Sequence, residues 1–234
     1  LSEGRSGAQL LADAIAAARK VDAVVFIGGL NKGDHQDSEG ADRLQLGLPY
    51  GQDAVIGALA EANPNLAVAI VSGNAVAMPW IDRVPAVLEA WYSGSEAGNA
   101  LADVLFGAVN PSGKLPFTFP VRLEDCSAHS AGEYPGDGQV VYRDGILVGY
   151  RWIEKERIEP LFAFGHGLSY TTFDIANVQA DRTSLATTGR LRVSADVTNT
   201  GGRAGAEVVQ LYIGDKLSSL PRPVKELKGF EKVH

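Results

Sequence analysis

The sequence predicts a layered α/β domain on a mainly parallel sheet, followed by a small, incomplete β-sandwich. Three observations carry this. Short apolar runs alternate with helical patterns through the first 106 residues, as parallel strands joined by crossover helices require. A long stretch rich in Gly, Pro, Tyr and charge then intervenes. From Phe173 onward apolar and polar residues alternate with a period of two, the pattern of half-buried strands. The expected divisions are an α/β sandwich over 1–121, its first part missing, a connecting region over 122–172, and an incomplete β-sandwich over 173–234.

Leu10, Leu11, Ala14, Ile15 and Ala18 recur at helical spacing, so a helix is expected over 6–19. The run ending in Val24-Val25-Phe26-Ile27-Gly28 reads as a buried strand over 22–28. A helix over 51–62 carries Val55, Ile56 and Leu59 on one side, and Asn63-Pro64-Asn65 stops it. Leu66 to Val71 is the second strand, closed by Ser72-Gly73-Asn74. Val84 to Ala90 is the third, ending in Trp91-Tyr92-Ser93-Gly94. Ser95 is the expected N-cap of a helix to Phe106, lined by Ala97, Leu101, Val104 and Leu105.

Pro111 and Pro116 then exclude helix and break any central strand. Strand content is expected again from Val140 to Arg151. So long an irregular stretch is uncommon inside a compact domain, which suggests that 122–172 lies over another surface. In the last part Leu191, Val193, Ala195 and Val197 face one way, Asn199-Thr200-Gly201-Gly202 turns the chain, and Val209, Leu211 and Ile213 alternate likewise. Further strand pieces are expected at 173–179 and 224–231. Only 62 residues remain from Phe173, whereas a full sandwich takes ~7 strands and ~100 residues.

Composition narrows the function. A formal net charge of −7 argues against nucleic-acid binding, which needs a basic face. The longest apolar runs fall far short of the ~20 residues of a membrane-spanning helix. Cys126 is the single cysteine, so neither an internal disulfide nor a cysteine-based zinc site is expected, and it reads as a loop thiol. No glycine-rich phosphate loop follows the first strand, which removes a nucleotide-binding reading. No cofactor or metal is expected. The first residue is Leu1, so the missing signal peptide carries no weight.

Chemistry concentrates in His35-Gln36-Asp37-Ser38-Glu39-Gly40-Ala41-Asp42-Arg43, directly after the first strand. In open α/β sheets ligands gather beyond the carboxyl ends of the strands. Glu39 is the candidate proton donor and acceptor, against the alternative that the loop is acidic merely because it is solvated.

Several motifs together resemble the C-terminal part of glycoside hydrolase family 3, the β-glucosidases and related exo-acting enzymes. They are Gly29-Leu30-Asn31, Ser38-Glu39-Gly40-Ala41-Asp42-Arg43, Leu48-Pro49 with Gln52, Trp91-Tyr92-Ser93-Gly94 with Glu96-Ala97-Gly98, Asn110 to Pro116, Phe164-Gly165-His166-Gly167-Leu168-Ser169-Tyr170, Asn199-Thr200-Gly201, and Val224 to Phe230. Their order covers nearly the whole chain. The resemblance implies an N-terminal (β/α)8-type barrel, an α/β sandwich and a fibronectin type III-like domain. Against that layout the chain reads as a fragment, with the barrel, upstream or on a separate chain, as its partner.

Retaining hydrolysis of a glycoside needs two carboxyls, one attacking the anomeric carbon and one moving a proton. Glu39 matches the family's acid/base glutamate. The nucleophilic aspartate belongs to the barrel, and no residue here matches it. The substrate implied is a β-linked oligosaccharide or glucoside, with terminal nonreducing β-D-glucosyl residues the favoured case. His35 and Gln36 are candidate sugar contacts. Asp37 either touches a sugar hydroxyl, raises the pKa of Glu39, or is a solvated acid. Asp42 and Arg43 are expected to pair with each other or with the sheet edge and brace the loop. His166 reads as a structural hydrogen-bonder, and Trp91 and Trp152 as packing anchors. A periplasmic or secreted location is expected, with a homodimer as one form. The competing reading is a non-catalytic structural or carbohydrate-binding module covering a barrel on another chain.

Overall fold

A computed structural model of the chain describes residues 4–186 and 188–234, so the expected first domain begins just outside the described residues. Helix α1 spans Gly7–Ala18, and Ser6 caps it through a reciprocal capping box with Gln9. Strands β1 (Val24–Gly29), β2 (Leu66–Val71) and β3 (Ala86–Glu89) form a parallel sheet in the order β1-β2-β3. Parallel strands need long crossovers, and helix α2 (Gln52–Ala62) supplies the first of them. Helix α3 (Ala97–Leu105) follows β3.

The core centres on β2, whose Leu66, Val68 and Ile70 are buried with Ile56, Val76, Trp80 and Phe119. A central parallel strand packed on both faces must read as a near-continuous apolar run, and Leu-Ala-Val-Ala-Ile-Val does. The ends of the elements are tied as firmly as their middles. Asn63 Nδ2, buried, donates to the carbonyls of Ala18 and Val21 at 2.9 Å each. It thereby fastens the end of α2 to the end of α1, where carbonyls lack helical partners.

Three expectations are corrected. Ser95 does not cap α3. It lies inside a short 3-10 turn, Gly94–Glu96, and Glu96 stands at the cap position without a side-chain bond to the helix backbone. No strand runs from Val140 to Arg151 among the described residues. Instead α5 spans Tyr150–Glu156, started by Gly149 at φ 63 and ended by Arg157 at φ 56. The expected strand ran into what is the start of this helix, but tertiary contacts decide it. Tyr150 stacks on Phe164 at 4.8 Å, and Trp152 Nε1 donates to the Asp125 carbonyl at 3.1 Å. The last correction, to the pairing of Asp42 with Arg43, belongs to the site below.

Between α3 and α5 the chain holds a 3-10 turn (Leu123–Asp125), a one-turn helix α4 (Ser127–Ser130) and long irregular stretches. Phe117 and Phe119 stack at 5.5 Å and meet Trp91 edge-on, covering the sheet. Two antiparallel pairs complete the chain, β4 (Phe173–Ala180) with β5 (Val193–Asn199), and β6 (Glu207–Ile213) with β7 (Glu226–Val233). They are fastened to the α/β part by Lys114–Glu207 at 2.6 Å, by Asn110 Nδ2 to the Ala204 carbonyl at 2.9 Å, and by the Leu227 N–H to Tyr150 Oη at 2.9 Å. Among the described residues no helix is long and apolar enough to cross a membrane.

Candidate active site

The acidic loop leaves the carboxyl end of β1 and returns at α2 without regular structure from 30 to 48. Its two ends are pinned. At the first, Gly29 has φ 141 and passes so close to the Val71 carbonyl that a Cβ would lie 2.0 Å from that oxygen. Only glycine fits there. Gln52 clasps the same point, accepting from the Gly29 N–H and donating to its carbonyl, both at 2.8 Å. Residues 31–37 then bond among themselves. The Gly33 N–H donates to Asn31 Oδ1 at 2.6 Å, and the Asp37 N–H to the Asn31 carbonyl at 3.0 Å. At the other end buried Leu48 and the Leu48 N–H to Asp53 Oδ2 bond, 3.1 Å, anchor the return.

Asp37 docks the middle of the loop onto the sheet. Its Oδ2 accepts the Gly73 N–H at 2.6 Å, from the turn after β2, and the Tyr92 hydroxyl at 2.8 Å, from the turn after β3. Arg43 docks the far side. Its Nη1 donates to the Ala75 carbonyl at 2.7 Å and its Nη2 to the Leu46 carbonyl at 2.8 Å. Burial foremost lowers the pKa of this guanidinium, with the charge of Asp37 working against that shift. Asp42 and Arg43 do not pair with each other. Asp42 Oδ2 instead accepts the Tyr134 hydroxyl, and its carbonyl accepts from His35 Nδ1 at 2.9 Å. A guanidinium can satisfy two carbonyls at once, which leaves Asp42 to the tyrosine.

Between these anchors Glu39 stands exposed on a polar cleft of about 360 Å³ that Gln36, Asp37, Asp42, Arg43 and Tyr92 also line. His35 lies outside the cleft lining. Both polar ends of the Gln36 side chain are used within the loop, Oε1 by the Asn31 N–H at 3.1 Å and Nε2 on Tyr50 Oη at 2.6 Å. Among the described residues the Glu39 carboxyl takes no hydrogen bond or ion pair, while those of Asp37 and Asp42 are already bonded. His166 stacks on Phe162 at 5.2 Å, away from this cleft. Among the described residues no group of three or more His, Cys, Asp or Glu side chains is arranged to hold a metal ion.

Sequence reasoning passed over Tyr92, Lys32 and Glu89. Burial foremost, then its bond to Asp37, holds the Tyr92 phenol well above its ordinary pKa, and Lys32 Nζ lies 5.1 Å over its ring. Glu89 ends β3 inside an apolar run. Burial pushes its carboxyl up to about 7, against hydrogen bonds from Trp91 and Ser72 and with the charge of Asp37 adding to the rise. A carboxylate within an otherwise apolar strand was the available signal.

The profile of the "Glycosyl hydrolase family 3 C-terminal domain" matches residues 5–170. The chain belongs to glycoside hydrolase family 3. A fibronectin type III-like profile matches residues 207–234. Among curated relatives, the beta-glucosidase BoGH3A of Bacteroides ovatus is 53% identical over 94% of the chain. Thermostable beta-glucosidase B of Acetivibrio thermocellus is 47% identical over 96%. Among solved structures, the β-glucosidase of Kluyveromyces marxianus superposes with a TM-score of 0.91 at 41% identity over 99% of the chain and 28% of its own. DesR of Streptomyces venezuelae, solved with D-glucose, gives 0.88 at 42% identity over 97% of the chain and 28% of its own. The chain spans 30% and 29% of the length of the two curated relatives. A family 3 C-terminal segment with a parallel α/β sheet and antiparallel fibronectin-like strands is thus what the sequence led one to expect.

Proposed function

We propose that these 234 residues are the C-terminal part of a retaining, exo-acting β-glycosidase that removes terminal nonreducing β-D-glucosyl residues. Glu39 supplies the proton to the leaving oxygen and then takes one from water. The attacking carboxylate comes from a barrel domain in the same protein. The observation that carries this reading is the placement of Glu39, exposed on a cleft at the carboxyl end of a parallel sheet, on a loop pinned by Asp37 and Arg43 on either side of it. An acid/base group must face the sugar, yet be held within a narrow range of positions. Pinned flanks with a free carboxyl between them meet both demands. The relatives named as β-glucosidases support glucose as the sugar.

The test is direct. The full-length protein, given cellobiose and p-nitrophenyl β-glucoside, is expected to release glucose first as the β-anomer, read by NMR within the first minutes. Release of the α-anomer would mean inversion and would refute the two-step role of Glu39.

A further inference from the structure

Glu89 lies outside the cleft lining, yet it joins the two turns on which the acidic loop rests. Its Oε1 accepts the Trp91 N–H at 3.2 Å and lies 3.3 Å from Ser72 Oγ. Its Oε2 is buried without a hydrogen-bond partner among the described residues. The Ser72 side chain is fully buried, and its hydroxyl has one proton. That proton lies between two acceptors, the Asn74 carbonyl at 2.8 Å and Glu89 Oε1 at 3.3 Å. So the turn after β2 and the turn after β3 are joined through this one group. These are the turns whose Gly73 N–H and Tyr92 hydroxyl converge on Asp37 Oδ2.

We infer that Glu89 is a positioning residue for the acid/base: it locks the two turns into one platform, and the platform sets the loop through Asp37, two residues before Glu39. The inference rests on the proposed role of Glu39. Five charged or titratable groups face Glu89 or share its surroundings. Asp37 and Tyr92 lie on the loop side. Lys114, His166 and Tyr170 line an apolar groove with Glu89, and Lys114 is already held by Glu207 at 2.6 Å. No cation reaches the carboxyl by a salt bridge among the described residues, which agrees with its raised pKa of about 7. Ionisation would set a buried charge without a cation partner behind Asp37.

The experiment compares two substrates in the full-length enzyme. A dinitrophenyl β-glucoside needs no proton on its leaving group, whereas cellobiose does, and kcat/KM reports the first step for both. Glu89→Met fills the space but accepts no hydrogen bond. It is expected to lower kcat/KM on cellobiose about tenfold, part of the ~10²–10⁴ that acid–base help supplies, and on the dinitrophenyl glucoside by about twofold at most. Glu89→Gln keeps an acceptor and should recover cellobiose activity to within about threefold at pH 6. A role in folding alone would lower both substrates by one factor, and that result overturns the inference. If Glu89→Met does not fold, Ser72→Ala must show the same split between substrates; equal losses there overturn it as well. A wild-type enzyme that hydrolyses both substrates with retention, while no variant shows the split, leaves the proposed function standing and removes Glu89. A wild type that hydrolyses neither removes both.

Discussion

The Tyr92 hydroxyl donates to Asp37 Oδ2 at 2.8 Å, across 55 residues of sequence. The bond ties the turn after β3 to the loop after β1, and the Gly73 N–H completes it on the same oxygen at 2.6 Å. Hydrogen bonds to a charged acceptor are worth roughly 1.5–3 kcal/mol each. Asp37→Ala in the full-length enzyme is therefore expected to lower kcat/KM on cellobiose about 10–100-fold. Tyr92→Phe removes one of the two donors and should cost about tenfold. Steady-state kinetics on both variants decides the point. Wild-type activity in Asp37→Ala would show that the loop holds its place without the clasp.

Arg43 spans two backbone carbonyls, those of Leu46 and Ala75. Its loss leaves both without their donor, at a cost of about 1–3 kcal/mol per group if water does not replace it. Arg43→Ala should lower activity and melting temperature together. Arg43→Lys should recover only part of either, since one ammonium does not reproduce the fork of a guanidinium. Lost activity with an unchanged melting temperature would instead mean that Arg43 acts on substrate.

Glu89 makes stability depend on pH in a defined direction. Its folded-state pKa is raised, to about 7, above that of a solvated glutamate. The protonated group contributes fully below the unfolded pKa of ~4.3, and the contribution is lost as pH rises through about 7. Glu89→Gln cannot ionise. Relative to wild type it should therefore gain in melting temperature between pH 5 and pH 8. A difference that stays constant over that range would mean that Glu89 does not titrate there.

Apolar surface on the sheet and on the end of α3 sets a further expectation. Val25 and Ile27 of β1 are 49% and 58% exposed, and Phe106 is 89% exposed. Edge strands with bare apolar side chains invite association. Residues 1–234 expressed alone should bind a hydrophobic dye and melt over a broad range. A sharp cooperative melt without dye binding would contradict this.

The sheet was legible because its strands are apolar runs bounded by turn residues, and Leu66–Val71 agrees at both ends with the expected strand. The acidic loop was legible as a cluster of charge after β1. Its wiring was not. Asp42 meets Tyr134 from 92 residues away and Asp37 meets Tyr92 from 55, and no local pattern encodes such distances. Nearness in sequence suggested the Asp42–Arg43 pair, but backbone carbonyls left open by the turns drew Arg43 away. Tyr150 and Arg151 closed the expected strand, while packing of Tyr150 on Phe164 and a bond from Trp152 to Asp125 hold them in a helix. Glu89 was hidden inside Val84 to Ala90 because an apolar run draws the eye to its period and not to its one acid.

The central claim is that Glu39 moves the proton. Glu39→Ala in the full-length enzyme should fold as wild type, since an exposed loop carboxylate adds little to the core. Cellobiose hydrolysis should fall ~10²–10⁴-fold. On a dinitrophenyl β-glucoside the first step should survive and the glycosyl-enzyme should accumulate for want of a base. Azide needs no base, so turnover measured with and without it should recover and yield the β-glucosyl azide, read by NMR. Near-normal hydrolysis of cellobiose by Glu39→Ala, or an α-configured azide, would contradict the account.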